Sequence, residues 1–211
     1  MAADNAVRPG LNAGRRRVFF ALWPDASVQA SLAKAAGSIH RMTHGRLTSA
    51  ANIHLTLAFI GSVSLERLAL LLAPPAEVVS RAFVLTLDEC GCWSHNGIVW
   101  AAPSKIPDAL GALAANLERW LRAAQFELEV RGFSPHVTLI RHARCGQLMR
   151  SMAPVEWRVG SFCLVESQPR SGGSAYRALG TWPLAPGTLT LPSQQSRVIR
   201  PAPPARRLRG R

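Results

Sequence analysis

The feature that most narrows what this chain can become is a four-residue pattern, His-apolar-Thr-Leu, present twice: His54-Leu55-Thr56-Leu57 and His136-Val137-Thr138-Leu139. In each copy apolar and polar residues alternate at the two-residue period of a β-strand, so the histidine and the threonine share one face. Leu55, Leu57 and Phe59 are expected on the other face of the first strand, buried in a core. The 211 residues hold only six histidines and eight threonines, so accident is a poor account of the repetition. One copy falls in each half of the chain. Two strands facing one cleft would bring together two imidazoles and two hydroxyls, equipment for acid–base work on a phosphate.

Around the pair, short strands and helices alternate. Val18–Leu22 reads as a first strand, and Asp25 caps a helix from about Ala26 to Gly37 with Val28, Leu32 and Ala36 on one stripe. The first motif strand ends at Gly61, and Ser64 caps a second helix over residues 65–73. Strands are expected at 83–87 and 97–101, joined across 90–96. Pro107-Asp108 opens the longest helix, to about Ala124, with Leu110, Leu113, Leu117, Trp120 and Leu121 along one side. A short strand at 127–131 precedes the second motif, and strands at 159–166 and 176–182 flank a Gly-Gly turn. The expected class is α+β: two pseudo-symmetric lobes of antiparallel sheet, helices outside, a cleft between them. Residues 15–185 form this domain, residues 1–14 a flexible leader, and residues 186–211 a disordered Arg/Pro-rich tail.

Composition sets the remaining bounds. The formal charge is +13, and six of those charges are arginines of the tail, which contains no acid. The folded body remains moderately basic, which suits an anionic partner such as RNA. Cys90, Cys92, Cys145 and Cys163 form no CxxC pair and have no zinc-ligand spacing, so four reduced structural thiols are expected in a cytoplasmic protein. No run is long enough for a membrane span, and a monomer without cofactor or metal is expected. His40 and His44 are assigned to a loop before the first motif, His95 to a turn, and His142 to the face opposite Arg141. Trp93 and Phe133 could stack on a base or belong to the core.

The paired motifs resemble those of the 2H phosphoesterase superfamily. Arg17–Leu22, Asn52–Gly61, Val99-Trp100, Phe133–Arg141 and Tyr176–Trp182 narrow the resemblance to the RNA 2′,3′-cyclic phosphodiesterases, once called 2′-5′ RNA ligases. The resemblance covers about residues 15–185, and the leader and tail have no counterpart in it. It implies metal-independent hydrolysis of RNA 2′,3′-cyclic phosphate ends to 2′-phosphates, with His54 as proton donor and His136 as proton acceptor. Thr56, Thr138 and Arg141 are the substrate-binding candidates: hydroxyls and a cation to meet charge growing on the non-bridging oxygens. Two readings compete with it. One is an RNA- or nucleotide-binding module in which the pair only grips phosphate. The other is a 2′-5′ ligase of tRNA halves, for which no lysine nucleophile motif is visible.

Overall fold

The computed structural model describes residues 14–78, 80–129, 132–146, 151–170 and 173–187. Residues 1–13 of the expected leader and 188–211 of the expected tail lie outside these.

Two strand–helix–strand units carry the two motifs. In the first, β1 (Arg15–Leu22) leads through α1 (Ala26–Thr43) and the short β2 (Arg46–Leu47) to β3 (Leu55–Ser64). After α2 (Leu65–Leu71) and β4 (Phe83–Trp93), the second runs from β5 (Ile98–Ala102) through α3 (Asp108–Ala123) to β6 (Val137–Arg141). Strands β7 (Ser151–Val159), β8 (Ser161–Arg170) and β9 (Gly173–Pro183) complete one sheet, ordered β7-β4-β5-β6-β3-β1-β8-β9, with β2 also on β6. All its ladders are antiparallel. The order is palindromic in role: each motif strand is central, its unit's first strand lies beside it, and two further strands complete each side, β4 and β7 on one and β8 and β9 on the other.

The helices form where capping and periodicity agree. Asp25 accepts from the backbone N–H groups of Ser27 and Val28 at 2.9 and 3.0 Å, which fixes the start of α1 and holds its own carboxyl below the usual value. Ser64 does the same for α2 through Arg67 N–H at 3.3 Å. Leu32 and Ala36 of α1 and Leu110, Leu113, Leu117 and Leu121 of α3 are buried in one core with Phe20, Leu22, Leu55, Leu57, Val137 and Leu139. Each helix also reaches across the middle of the sheet, α1 onto β6 and β7 and α3 onto β3, so the two lobes share this core. One face of the sheet is thereby covered, and the motif face is left open.

Several expectations change. The helix predicted to end at Gly37 runs to Thr43, which makes α1 longer than α3 and places His40 inside it and His44 at its C-cap rather than in a loop. Residues 127–129 form no strand, and Arg131 lies outside the described residues. Residues 151–158, unassigned from sequence, form β7 together with Val159, and Gly160 separates it from β8, where one strand was predicted across the junction. The four-thiol expectation is corrected as well: Cys92 near the end of β4 and Cys145 beyond β6 form a disulfide with Cα atoms 5.6 Å apart, while the Cys90 and Cys163 thiols are buried. A sequence separation of 53 gave no sign of that pairing, which depends on β4 and β6 flanking β5. No helix among the described residues is long and apolar enough to cross a membrane.

Candidate active site

The site grows from the way the motif strands meet. β3 and β6 pair at one position, Leu55 opposite Val137, both fully buried. Each of these residues lies between the histidine and the threonine of its motif. In the antiparallel register, one step to either side sets His54 across from Thr138 and Thr56 across from His136. The strands then part, and a cleft opens with these four side chains along its wall.

The cleft has two arms that share His54, Thr56, Phe59, Asn96, Ile98, Thr138 and Arg141. The larger, about 1100 Å³, also takes in Arg17, Arg46, His142 and Arg170. The smaller, about 400 Å³, takes in His136, Trp93, Phe133, Glu118 and Glu129. Arg141 at the end of β6 therefore stands where the arms meet. Phe59, expected in the core, is 37% exposed in the cleft. The β1–β3 ladder shifts register twice, between Val18 and Phe19 and again between Phe20 and Ala21. Such bulges break the alternation and turn Phe59 to the motif face, where the Arg17 guanidinium lies 5.0 Å from its ring centre. His142 also moves to the cleft, because β6 ends at Arg141 and His142 adopts φ 55°, held by the Ala143 N–H donating to Gly97 O at 2.9 Å. His40 and His44 pack edge to face on each other and line neither arm.

Both motif histidines are oriented alike. Nδ1 of His54 lies 2.7 Å from the carbonyl of Asn52, and Nδ1 of His136 lies 2.9 Å from that of Ser134. A carbonyl only accepts, so Nδ1 carries the hydrogen in each ring and Nε2 is left as the nitrogen for proton exchange. Their surroundings differ. Trp23 stacks parallel on His54 at 5.0 Å, Phe19 lies tilted at 5.0 Å, and Tyr176 meets it edge-on at 5.1 Å. Burial in this cage pushes the His54 imidazole down to about 4; the Asn52 carbonyl opposes the shift, and the charges of Arg141 and His136 reinforce it. His136 meets Trp93 in a T-shaped contact at 4.6 Å. Gly91 leaves room for the Trp100 indole, with which a Cβ would collide, and Trp100 packs tilted against Trp93 at 5.9 Å.

Sequence reasoning found both histidines, both threonines and Arg141 at one cleft, and placed Trp93 and Phe133 as base-stacking or core residues. It missed the cage of Phe19, Trp23 and Tyr176 and the cleft positions of Arg17, Arg46 and Arg170. Phe19 carried a signal: in the apolar run 18–22 of β1 it alternates with Val18 and Phe20, so it must face away from the core they enter. Tyr176, on a strand distant in sequence, carried none.

Comparison with known proteins places this geometry. Residues 22–100 match the family model described as LigT like Phosphoesterase. The chain is 33% identical over 178 residues to the RNA 2′,3′-cyclic phosphodiesterase of Escherichia coli strain K12, covering 80% of this chain and 97% of that protein. Among solved structures, E. coli LigT complexed with 3′-AMP superposes with a TM-score of 0.72 at 31% identity, over 81% of this chain and 98% of that one. The same protein complexed with phosphate gives 0.66 at 30% identity, over 82% and 99%.

Proposed function

The chain belongs to the LigT-like phosphoesterases, the family of the RNA 2′,3′-cyclic phosphodiesterases, and from that premise we propose that it hydrolyses RNA 2′,3′-cyclic phosphate ends to 2′-phosphates by a two-histidine mechanism. The observation that carries this reading is the antiparallel meeting of the two motifs at Leu55 and Val137, which sets two imidazoles and two hydroxyls around one point of the cleft. Nε2 of His136 takes a proton from water as its oxygen attacks phosphorus. The bond from phosphorus to the 3′ oxygen breaks on the opposite side, and Nε2 of His54 protonates the departing oxygen. Thr56, Thr138 and Arg141 meet the charge that grows on the non-bridging oxygens. These residues supply base, acid and charge stabilisation without a metal, and a monomer working on RNA in the cytoplasm is the setting we propose.

One observation favours the opposite direction of proton flow. With its imidazole pushed down to about 4, His54 is neutral at pH 7 before substrate arrives, the state a base requires. For His54 to act as the acid, the arriving phosphate must offset the desolvation and the positive field of Arg141 so that binding is accompanied by proton uptake. The overall reaction is tested by incubating the protein, with chelator present, with an RNA bearing a 2′,3′-cyclic end. A 2′-phosphate product supports the proposal; a 3′-phosphate, or no turnover, contradicts it.

A further inference from the structure

The Cys92–Cys145 disulfide joins two segments that both deliver side chains to the cleft. The first is the β4–β5 hairpin: Trp93, next in sequence to Cys92, meets the His136 ring, and Asn96 and Ile98 line both arms. The second is the chain leaving β6, where Arg141 lines both arms and His142 the larger one. Because β5 lies between β4 and β6, this second segment must fold back over the start of β5 for Cys145 to reach Cys92. Its backbone is laid between two glycines of positive φ. A Cβ on Gly45 would stand 2.9 Å from the Ala143 backbone, and one on Gly97 2.9 Å from the Ala143 carbonyl oxygen. Ala143 N–H donates to Gly97 O at 2.9 Å and Arg144 N–H to Thr43 O at 2.7 Å. The disulfide adds a covalent tie to these noncovalent ones.

The cytoplasmic setting proposed above is one where a standing disulfide is rare and those that form are transient, catalytic or redox-sensing. Resting on that reading, we propose that Cys92–Cys145 is a thiol–disulfide exchange site for a dithiol, and that its oxidation state sets the activity of the adjoining cleft. A thiolate of the dithiol attacks one sulfur of the pair, the bond between Cys92 and Cys145 breaks, and the other sulfur leaves as a thiolate. The second thiol of the reagent then attacks the mixed disulfide. The reagent departs as a disulfide, and its two electrons and two protons end on two cysteine thiols. Both cysteines of the pair are half-buried, whereas Cys90 and Cys163 are buried, and burial pushes their thiols up, that of Cys163 to about 12. Those two stay protonated and inert near neutral pH, so exchange is confined to the pair. With the tie open, residues 142–146 keep only noncovalent contacts, and the placement of Arg141, His142 and Trp93 loosens.

The test measures kcat/KM for 2′,3′-cyclic AMP and amide hydrogen exchange in the full-length protein before and after dithiothreitol, after reoxidation by oxidised glutathione, and in Cys92→Ser/Cys145→Ser. Alkylation of the reduced native protein should modify Cys92 and Cys145 and spare Cys90 and Cys163. Reduction should speed exchange at the Ala143 and Arg144 amides and lower kcat/KM by up to roughly 10²-fold, the cost of a misplacement of about 1 Å. Reoxidation should reverse both changes, and the double variant should match the reduced wild type and ignore dithiothreitol. If that variant does not fold, the reduced and reoxidised wild type give the same reading. The switch is overturned by protein that forms no Cys92–Cys145 linkage in oxidised glutathione, by kcat/KM unchanged once both cysteines are reduced, or by an equal loss when dithiothreitol meets the double variant. Absence of turnover in every state instead overturns the function on which the switch rests. Exchange at Ala143 and Arg144 that ignores reduction overturns the switch in that case too.

Discussion

Leu55 on β3 and Val137 on β6 are the pair at which the two motif strands join, and each stands between the histidine and the threonine of its own motif. A local twofold passes between them, so the catalytic geometry is set by a core contact. A slip of one residue in either strand would turn that strand's histidine toward the core and its leucine face toward water. Leu55→Ala should cost about 2–5 kcal/mol, as for other fully buried leucines. It should also lower turnover in protein that is still folded, because the joint that positions both rings has lost its packing. Urea unfolding and kcat measured well below the midpoint check the two effects separately.

Arg141 stands where the arms meet and also bears electrostatically on His54. Replacing it by Ala should lower kcat by roughly 10²–10³, the cost of losing one charge-stabilising donor at a transition state. The same change should raise the His54 pKa, and Arg141→Lys should recover part of both effects. Steady-state kinetics and an NMR titration of the His54 ring are the measurements.

Because the folded pKa of His54 is about 4 and the unfolded value about 6.5, the unfolded chain binds more protons between those limits. Stability from keeping this ring neutral is fully present above about pH 6.5 and is lost as pH falls through 4. At most it is on the order of 3 kcal/mol. Unfolding of the wild type and His54→Gln near pH 7 and near pH 4 should show the wild type losing more of its stability on acidification. A difference between the two that does not change with pH would contradict the aromatic cage as the cause.

The direction of proton transfer separates by changing the leaving group. A cyclic substrate whose 3′ oxygen is replaced by sulfur departs as a thiolate and needs little help from an acid. If His54 is the donor, this substrate should restore turnover to His54→Ala and leave His136→Ala inactive; the reverse pattern assigns His54 as the base. A pH–rate profile cannot make that distinction, because its pKa values belong to the pair.

The motif strands were legible because a strand buried on one side writes its period into the sequence, and because the same four residues occur twice. What alternation could not show was a break in alternation: the bulges beside Phe59 and the αL residue His142 are set by pairing with β1 and by the turn after β6. The extra turns of α1 were hidden by Gly37, which reads as a stop but lies mid-helix with open space around its Cβ position. The cage around His54 draws on Phe19, Trp23 and Tyr176, and the disulfide on Cys92 and Cys145. Those contacts exist only once β9 and β6 have been brought to their neighbours, so local pattern carries no trace of them.

The central claim is that His54 and His136 perform the chemistry together across the Leu55–Val137 joint. Single-turnover hydrolysis of a 2′,3′-cyclic RNA end by His54→Ala and by His136→Ala, with binding of the same RNA measured in parallel, tests it most directly. The predicted result is a loss of about 10²–10⁴ in rate for each variant while binding persists. Turnover that survives either substitution at the wild-type rate would contradict it.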